Sequence, residues 1–425
     1  MSATAIRSVF EQFVNPKDSH EQRRGKAIEY VENFRKGLGL SVNRDGRPVR
    51  EAGSPRPASF SIRELAVGIV GEDWVNGLVR DTGESYRVFE AGGNALMTPG
   101  NLPNVSAFLG SVSGLLDAAV LETYDDPEFV IDALVPVEST KTRQTKMIGT
   151  GRIGNQSQIR NPGDAHPWAQ FEERYSTSPE TQQDALAIGV TYEAVFYDQT
   201  GEVLAKANSL GKELGLRKEF DGMQVIAGVT NPYNYRGASY NTYLTSGNWI
   251  NDQSNQLDDW TDVNNSRELF TRMKDQETSN RIAVEPDTIL VSPQKRMTAS
   301  YIMNATEIES RTASAAEVRR GANEGPQYKL MSSVYMDQVL TNAAADPKVA
   351  GLGLSQANAN QYWWHLKTTP GSSAFVRYEN WPIDIRRASP SDFEMLNRRM
   401  VLAVFANQSH AFMVREPRYV VRNKN

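Results

Sequence analysis

Gly149-Thr150-Gly151-Arg152-Ile153-Gly154 is the most chemically suggestive spacing in the chain. It is a formal G-x-G-x-x-G, the pattern with which a tight turn brings backbone amides to a dinucleotide pyrophosphate. Its surroundings argue against that use. The fingerprint needs an apolar strand before it, a helix after it and an acid about 20 residues on, whereas polar KTRQTK precedes and NQSQIRNPG follows. Glycines of a flexible β-ribbon are the ordinary reading, so no cofactor is expected. The four histidines, His20, His166, His365 and His410, are far apart and fall in no H-x-x-x-H pattern, so each reads as a surface or edge residue and no metal site is expected. Asp125, Asp126 and Glu128 resemble paired carboxylates, but acids of this kind favour a helix boundary. No G-x-S-x-G, S-x-x-K or P-loop occurs, and with no cysteine in the chain thiolate catalysis and Cys-ligated zinc are excluded. An enzyme is not expected; a dinucleotide-binding enzyme is the remote alternative.

Two other groups read better as interfaces. Lys141, Arg143, Lys146, Arg152 and Arg160 make a basic stretch, followed by Glu172, Glu173 and Glu180. Besides a solvated surface, this order suits charge complementarity between copies of one protein, where opposite charges set register. Tyr233, Tyr235, Tyr240, Tyr243, Trp249 and Trp260 could stack on sugars or bases, but they lack a basic setting. Protein contact or local packing is the better reading for them.

These residues need elements to hold them, and the strongest element lies between them. Thr200 can cap a helix, and Val203, Ala207, Leu210 and Leu214 recur at helical spacing before the stripe drifts to Leu216, Phe220 and Met223. From Thr200 to Ala227 such a helix would reach about 42 Å. Gly211, Gly215 and Gly222 lie inside it, each lowering helix propensity by about 1 kcal/mol, so a close neighbour must compensate. The chain has 425 residues, 39% hydrophobic and 23% charged, enough for two or three domains. A net charge of −5 argues against a protein that mainly grips nucleic-acid backbone. No run of about 18 apolar residues and no signal-peptide pattern is seen, so a cytoplasmic origin without membrane insertion is expected.

Along the chain, two polar helices are expected within 1–40 and an extended linker over 41–59. Ser61 and Glu64 form a capping box, with Phe60 and Leu65 as a staple, so a helix to about Arg80 is expected. Residues 1–100 read as an arm. Ser106–Tyr124 is a second strong helix, Pro127–Leu134 a short one, and the polar stretch Lys141–Ala187 a long hairpin that cannot be stable alone. Asn231–Asp262 reads as an inserted loop or hairpin. DTILVSP, YWWHL and SAFVRYENWPIDIRRA read as strands, and KRMTASYIMNATEI as a helix striped by Met297, Tyr301 and Ile302. Met331–Leu340 is ambiguous. Arg399–Phe405 and Phe412–Val421 read as a terminal hairpin turning at Asn407–Ser409.

The order and spacing of PEFVIDALVP, GTGRIG, VTYEAVFYDQTGEVLAKANSLGKELGL, SYNTY, NWINDQSNQLDDWTDVN, PDTILVSPQKRMTASYIMNATEI, RYENWPIDI and REPRYVVR, from Pro127 to Arg422, resemble the major capsid proteins of tailed bacteriophages. The resemblance implies the α+β fold first described for phage Hong Kong 97, with a long spine helix, an extended β-hairpin loop, peripheral and axial domains, and an N-terminal helical arm. It implies an arm over 1–100, which in some relatives is a scaffold-like segment, a peripheral domain over 101–141, 186–232 and 395–425, the extended loop over 142–185, and an axial domain over 233–394. The implied function is self-assembly into hexamers and pentamers of an icosahedral head around double-stranded DNA, without sequence-specific binding. The alternative is an encapsulin-like nanocompartment shell. Implied partners are further copies, a portal and decoration or scaffolding proteins, in a virion assembled in the host cytoplasm. Some relatives form Lys–Asn cross-links, for which Lys141 or Lys146 with Asn407 are the conceivable partners.

Overall fold

The computed structural model describes residues 3–14, 18–43, 47–77, 102–148, 160, 162, 175–230, 233–247, 249–274, 281–311, 318–322, 325, 327–345, 362–388 and 400–424. The helices are α1 (Ala3–Phe13), α2 (His20–Gly37), α3 (Ile62–Ile69), α4 (Glu72–Gly77), α5 (Leu102–Tyr124), α6 (Ile131–Leu134), α7 (Tyr192–Phe196), α8 (Thr200–Ala227), α9 (Trp260–Arg272), α10 (Arg296–Asn304) and α11 (Val334–Ala345). The strands are β1 (Leu40–Val42), β2 (Pro48–Arg50), β3 (Val137–Ser139), β4 (Lys146–Ile148), β5 (Tyr175–Thr177), β6 (Gln182–Thr191), β7 (Tyr233–Tyr235), β8 (Ala238–Tyr240), β9 (Asp252–Ser254), β10 (Thr288–Val291), β11 (Glu307–Arg311), β12 (Val318–Ala322), β13 (Lys329–Ser332), β14 (Trp363–Leu366), β15 (Phe375–Ala388), β16 (Met400–Val414) and β17 (Val420–Lys424). The chain divides into two compact units, one of residues 1–126, 183–216 and 381–409, the other of 127–182, 217–380 and 410–425.

In the first unit a helical core gathers Ile6 and Phe10 of α1, Tyr30 of α2, Ile62 and Leu65 of α3, the buried face of α5, and Val203, Leu210 and Leu214 of α8. The segment expected as an arm therefore contributes side chains to the same core as α5 and α8. α5 is long and apolar enough to cross a membrane by length and composition, but its surface is mostly buried within the protein. The close neighbour that Gly211 of α8 requires is α5, whereas Gly222 lies against Ile131 and Phe412. A Cβ on Gly211 would stand 2.2 Å from the Val120 carbonyl oxygen, and Thr123 Oγ1 donates to Asn208 O at 2.8 Å across the same seam. The start of α8 is fixed to the start of α3: Ile62 N donates to Thr200 Oγ1 at 2.8 Å, and Thr200 and Ser61 both donate to Asp198.

Three expectations fail here. The helix from Ser61 stops at Ile69, because Gly71 takes φ +124° and restarts the chain as α4; Ser61 does cap α3 through Glu64 N. Residues 41–59 are not simply a linker, since β1 and β2 pair antiparallel, Leu40 opposite Arg50. The residues Asn407–Ser409 do not turn. β16 runs unbroken through them, its polar side chains satisfied by tertiary partners: Tyr124 Oη donates to Gln408 Oε1 at 2.9 Å, Gln408 Nε2 donates to Leu214 O at 3.1 Å, and Trp381 Nε1 donates to Asn407 Oδ1 at 3.0 Å.

The second unit is built on a mixed five-stranded sheet of order β13-β10-β14-β17-β9. β10 pairs parallel with β13 and antiparallel with β14, which pairs antiparallel with β17; β17 then pairs parallel with β9. Alternation along the strands feeds two cores. Leu290, Trp364, Leu366 and Val421 enter one with Met336, Val339 and Leu340 of α11. Ile289, Val291 and Trp363 enter the other with Ala299 and Ile302 of α10. A sheet covered on both faces explains why β10 and β14 are buried at every position. Of the stripe expected on α10, Met297 and Tyr301 are instead 80% exposed, because Ala299 and Ile302 face the sheet. The ambiguous stretch over 331–340 proves to be both, the end of β13 followed by α11.

The histidine reading also needs correction for two residues. His365 lies at the centre of β14 and is fully buried among Phe270, Tyr328 and Trp363. His410 is buried as well, with Nε2 3.7 Å from Asp221.

Candidate assembly surface

The root of the expected hairpin belongs to a four-stranded sheet of order β4-β5-β7-β8 in the second unit. Lys146 stands opposite Thr177 and Ile148 opposite Tyr175, while Ser176 and Thr177 pair with Tyr235 and Asn234. Behind the root, Thr145 N donates to Ser178 Oγ at 2.9 Å and Thr181 N to Arg143 O at 2.9 Å, so pairing continues between the two limbs. β7 and β8 form a tight hairpin with positive φ at Arg236 and Gly237, the backbone that a two-residue primed turn demands. Three-residue strands hold little by themselves.

Of the candidate contact residues, Lys141, Arg143, Lys146 and Arg160 are exposed. Arg152, Glu172 and Glu173 lie outside the described residues, as does the G-x-G-x-x-G. The carboxylate that meets Arg143 is Glu180, at 2.7 Å, and both side chains are more than half exposed, so the pair contributes at most about 1 kcal/mol. The Lys146 ammonium sits 5.0 Å from the Tyr175 ring centroid.

The aromatic cluster is mainly local packing. Tyr233, Tyr235, Tyr243 and Trp249 are buried, with Tyr233 edge-on to Trp249 and Trp249 Nε1 donating to Thr242 O at 3.1 Å. Burial pushes the phenols of Tyr233 and Tyr243 well above their ordinary range. Tyr240 and Trp260 are the cluster's exposed members.

Sequence reasoning missed the charged anchors of the same unit. Lys218 and Glu219 are buried in α8, although neither belongs to its apolar stripe. Position 218 follows Leu214 by one helical turn, and that spacing was the available signal. Lys218 Nζ reaches Asp132 at 2.6 Å, and Arg377 pairs with the other oxygen of that carboxylate. Burial alone would raise the Asp132 carboxyl, but the Arg377 guanidinium and Lys218 ammonium hold it down at about 2. Glu219 is raised by burial; it accepts from Ile131 N at 2.9 Å and Ser333 Oγ at 3.1 Å. At the end of α8, Arg422 forks onto Asp252 at 3.1 and 2.8 Å and donates to Ala227 O at 3.2 Å. These contacts tie the 217–227 part of α8 to Asp132, β15 and β17 within the second unit.

A family profile described as phage capsid protein matches residues 174–423. No curated protein sequence matches the chain. Among solved structures, the virus-like particle from Pyrococcus furiosus is 11% identical over 72% of this chain and 97% of its own, at a TM-score of 0.37. The capsid of Cyanophage Pam1 is 8% identical over 68% and 87%, at 0.42. That of Cyanophage P-SCSP1u is 11% identical over 68% and 85%, at 0.39. Likeness at these scores adds no argument of its own. The profile, however, spans 250 of the 425 residues, from the hairpin root through the charged anchors to β17, and on that match the chain belongs to the phage capsid protein family, as a structural shell protein rather than an enzyme.

Proposed function

We propose that this chain forms the head of a tailed phage, with hexamers and pentamers of the one polypeptide closing an icosahedral shell around double-stranded DNA. The family match over residues 174–423 carries this reading. A net charge of −5 suits a lining that encloses DNA without holding it, since tight phosphate binding would oppose packaging and release. One asymmetric contact repeated many times is enough to close rings. The candidate contacts are those of the hairpin: Lys141, Arg143, Lys146, Arg152 and Arg160 of one copy against acids such as Glu172 and Glu173 of the next. The peripheral and axial division, a portal, decoration or scaffolding partners, and membrane-free assembly in the host cytoplasm belong to the same proposal.

Electron microscopy of particles purified from cells expressing the chain tests it. Closed shells are the expected result, and in the native virion these are large, DNA-filled and joined to a tail. Small shells filled with protein cargo would turn the reading into a nanocompartment, and a chain that stays monomeric at high concentration would end it. Intact mass of the particle subunit reports on the arm and on cross-links: 47.3 kDa corresponds to the full, uncross-linked chain.

A further inference from the structure

His410 and Phe412 stand two residues apart in β16, so their side chains leave the strand on one face. Within the second unit that face meets the 217–227 part of α8. The approach is close at Gly222, where a Cβ would stand 3.1 Å from the Phe412 ring. His410 is thereby set against Asp221, the residue before that glycine, with Nε2 3.7 Å from the carboxylate. The histidine is only 6% exposed, its ring is edge-on to Phe412 at 5.3 Å, and neither ring nitrogen makes a hydrogen bond among the described residues. His410 and Asp221 line a pocket of about 320 Å³. Gln224 lines it too, three residues beyond Asp221 and so on the same face of the helix.

An imidazole nitrogen, a carboxylate and a carboxamide oxygen around one pocket are a ligand set. At 3.7 Å the His410–Asp221 pair is too long for a hydrogen bond, yet two atoms each about 2.0–2.2 Å from one ion can stand that far apart. We propose that Asp221, Gln224 and His410 bind a first-row divalent cation such as Zn²⁺, with water in its remaining positions. Imidazole among oxygen donors suits such an ion better than Mg²⁺ or Ca²⁺, which favour oxygen alone. The other charges of the pocket do not claim this place. Glu180 is taken by Arg143 at 2.7 Å. Arg217 reaches Asp221 at 3.2 Å, but it is more than half exposed and one helical turn away, so it holds the carboxylate weakly and can yield it to an ion. A bound ion would tie β16 to α8 inside the second unit and stabilise it by mass action. The site is complete within one chain and goes beyond the shell reading without depending on it. Only the fold brings Asp221 and His410 together, which is why no spacing in the sequence announced them.

Calorimetric titration of Zn²⁺ into the full chain, first stripped of metal by a chelator, tests the proposal. Saturable uptake of one ion per chain is expected, with the thermal midpoint raised by about 2 °C or more at saturation. Asp221→Asn, nearly isosteric and at a partly exposed position, should weaken binding by at least the roughly tenfold that even an outer partner of a metal site is worth. His410→Phe, which keeps a ring beside Phe412 but no nitrogen, should do the same, and Gln224→Met should weaken binding less. Mg²⁺ at the same concentration should not displace the Zn²⁺. If His410→Phe does not fold, the metal-free midpoint shows it and Asp221→Asn decides alone. A wild-type chain that takes up no stoichiometric Zn²⁺ overturns the proposal, and so does an affinity that Asp221→Asn leaves unchanged.

Discussion

Gly211 approaches Val120 so closely that a methyl group on its Cα would sit 2.2 Å from the Val120 carbonyl oxygen. The obstacle is backbone rather than the end of a flexible side chain, so relief requires moving α5 away from α8. Gly211→Ala should therefore lower stability by about 1–3 kcal/mol, the usual cost of overpacking, although alanine is the better helix former. Gly201, near the start of the same helix, has nothing within 4 Å of a built Cβ. Gly201→Ala should leave stability unchanged or raise it by up to about 1 kcal/mol. Urea unfolding of dissociated subunits decides between these signs.

Asp132 answers to two cations that cannot otherwise be buried. Lys218 and Arg377 are 2% and 3% exposed, whereas the Asp132 side chain is 43% exposed. Removing the charge by Asp132→Asn should cost about 2–3 kcal/mol, below the range for a wholly buried pair because water screens the carboxylate. Its carboxyl is held at about 2, below the unfolded value, so its contribution is complete above the unfolded range and disappears as pH falls through about 2. Wild type should thus lose more stability than Asp132→Asn between pH 5 and pH 2. Equal losses would show that the carboxylate is not what holds α8.

His365 behaves in the opposite sense. Burial, followed by the nearby Arg267 charge, lowers its imidazole to about 3, so the folded protein keeps the ring neutral. The unfolded chain binds a proton first, and stability is lost progressively from about pH 6.5 towards pH 3, by up to about 5 kcal/mol. Neither ring nitrogen has a hydrogen-bonding partner among the described residues. His365→Phe should accordingly stay within about 1 kcal/mol of wild type at pH 7 and lose less stability on acidification. Thermal midpoints of both proteins between pH 7 and pH 4 check this, and parallel curves would refute it.

The elements that announced themselves in the sequence are those whose local pattern and tertiary role agree. Val203 to Leu214 striped α8, and the apolar runs of β10 and β14 marked strands buried on both faces. The failures occur where a distant partner reverses the local preference. Asn407-Gln408-Ser409 has the composition of a turn, yet Tyr124 and the Leu214 carbonyl satisfy Gln408 inside β16. Lys218 and Glu219 have the composition of a surface, yet Asp132, Ser333 and the Ile131 amide make them interior. Met297 and Tyr301 have helical spacing, but spacing does not say which face meets the sheet. The candidate contact residues were legible only as charge order from Lys141 to Glu173, because that Arg143 meets Glu180 depends on how the two limbs of the hairpin root pair.

Arg422 joins three parts of the second unit, and its geometry cannot be reproduced by another cation. The guanidinium forks onto Asp252, caps the α8 terminus at Ala227 O, and lies 4.5 Å from the centre of the Tyr243 ring. A lysine ammonium would be a point charge, keeping one of the contacts and surrendering the fork and the planar stack. Lys424 also reaches Asp252, at 2.8 Å, but by a single bond from a partly exposed position. The expected order is therefore Arg422→Lys, at about 2–4 kcal/mol, well above Lys424→Met, at about 1 kcal/mol or less. Urea midpoints of the dissociated subunits read this order directly. If the two variants cost the same, Asp252 is held by net positive charge alone and the fork contributes nothing.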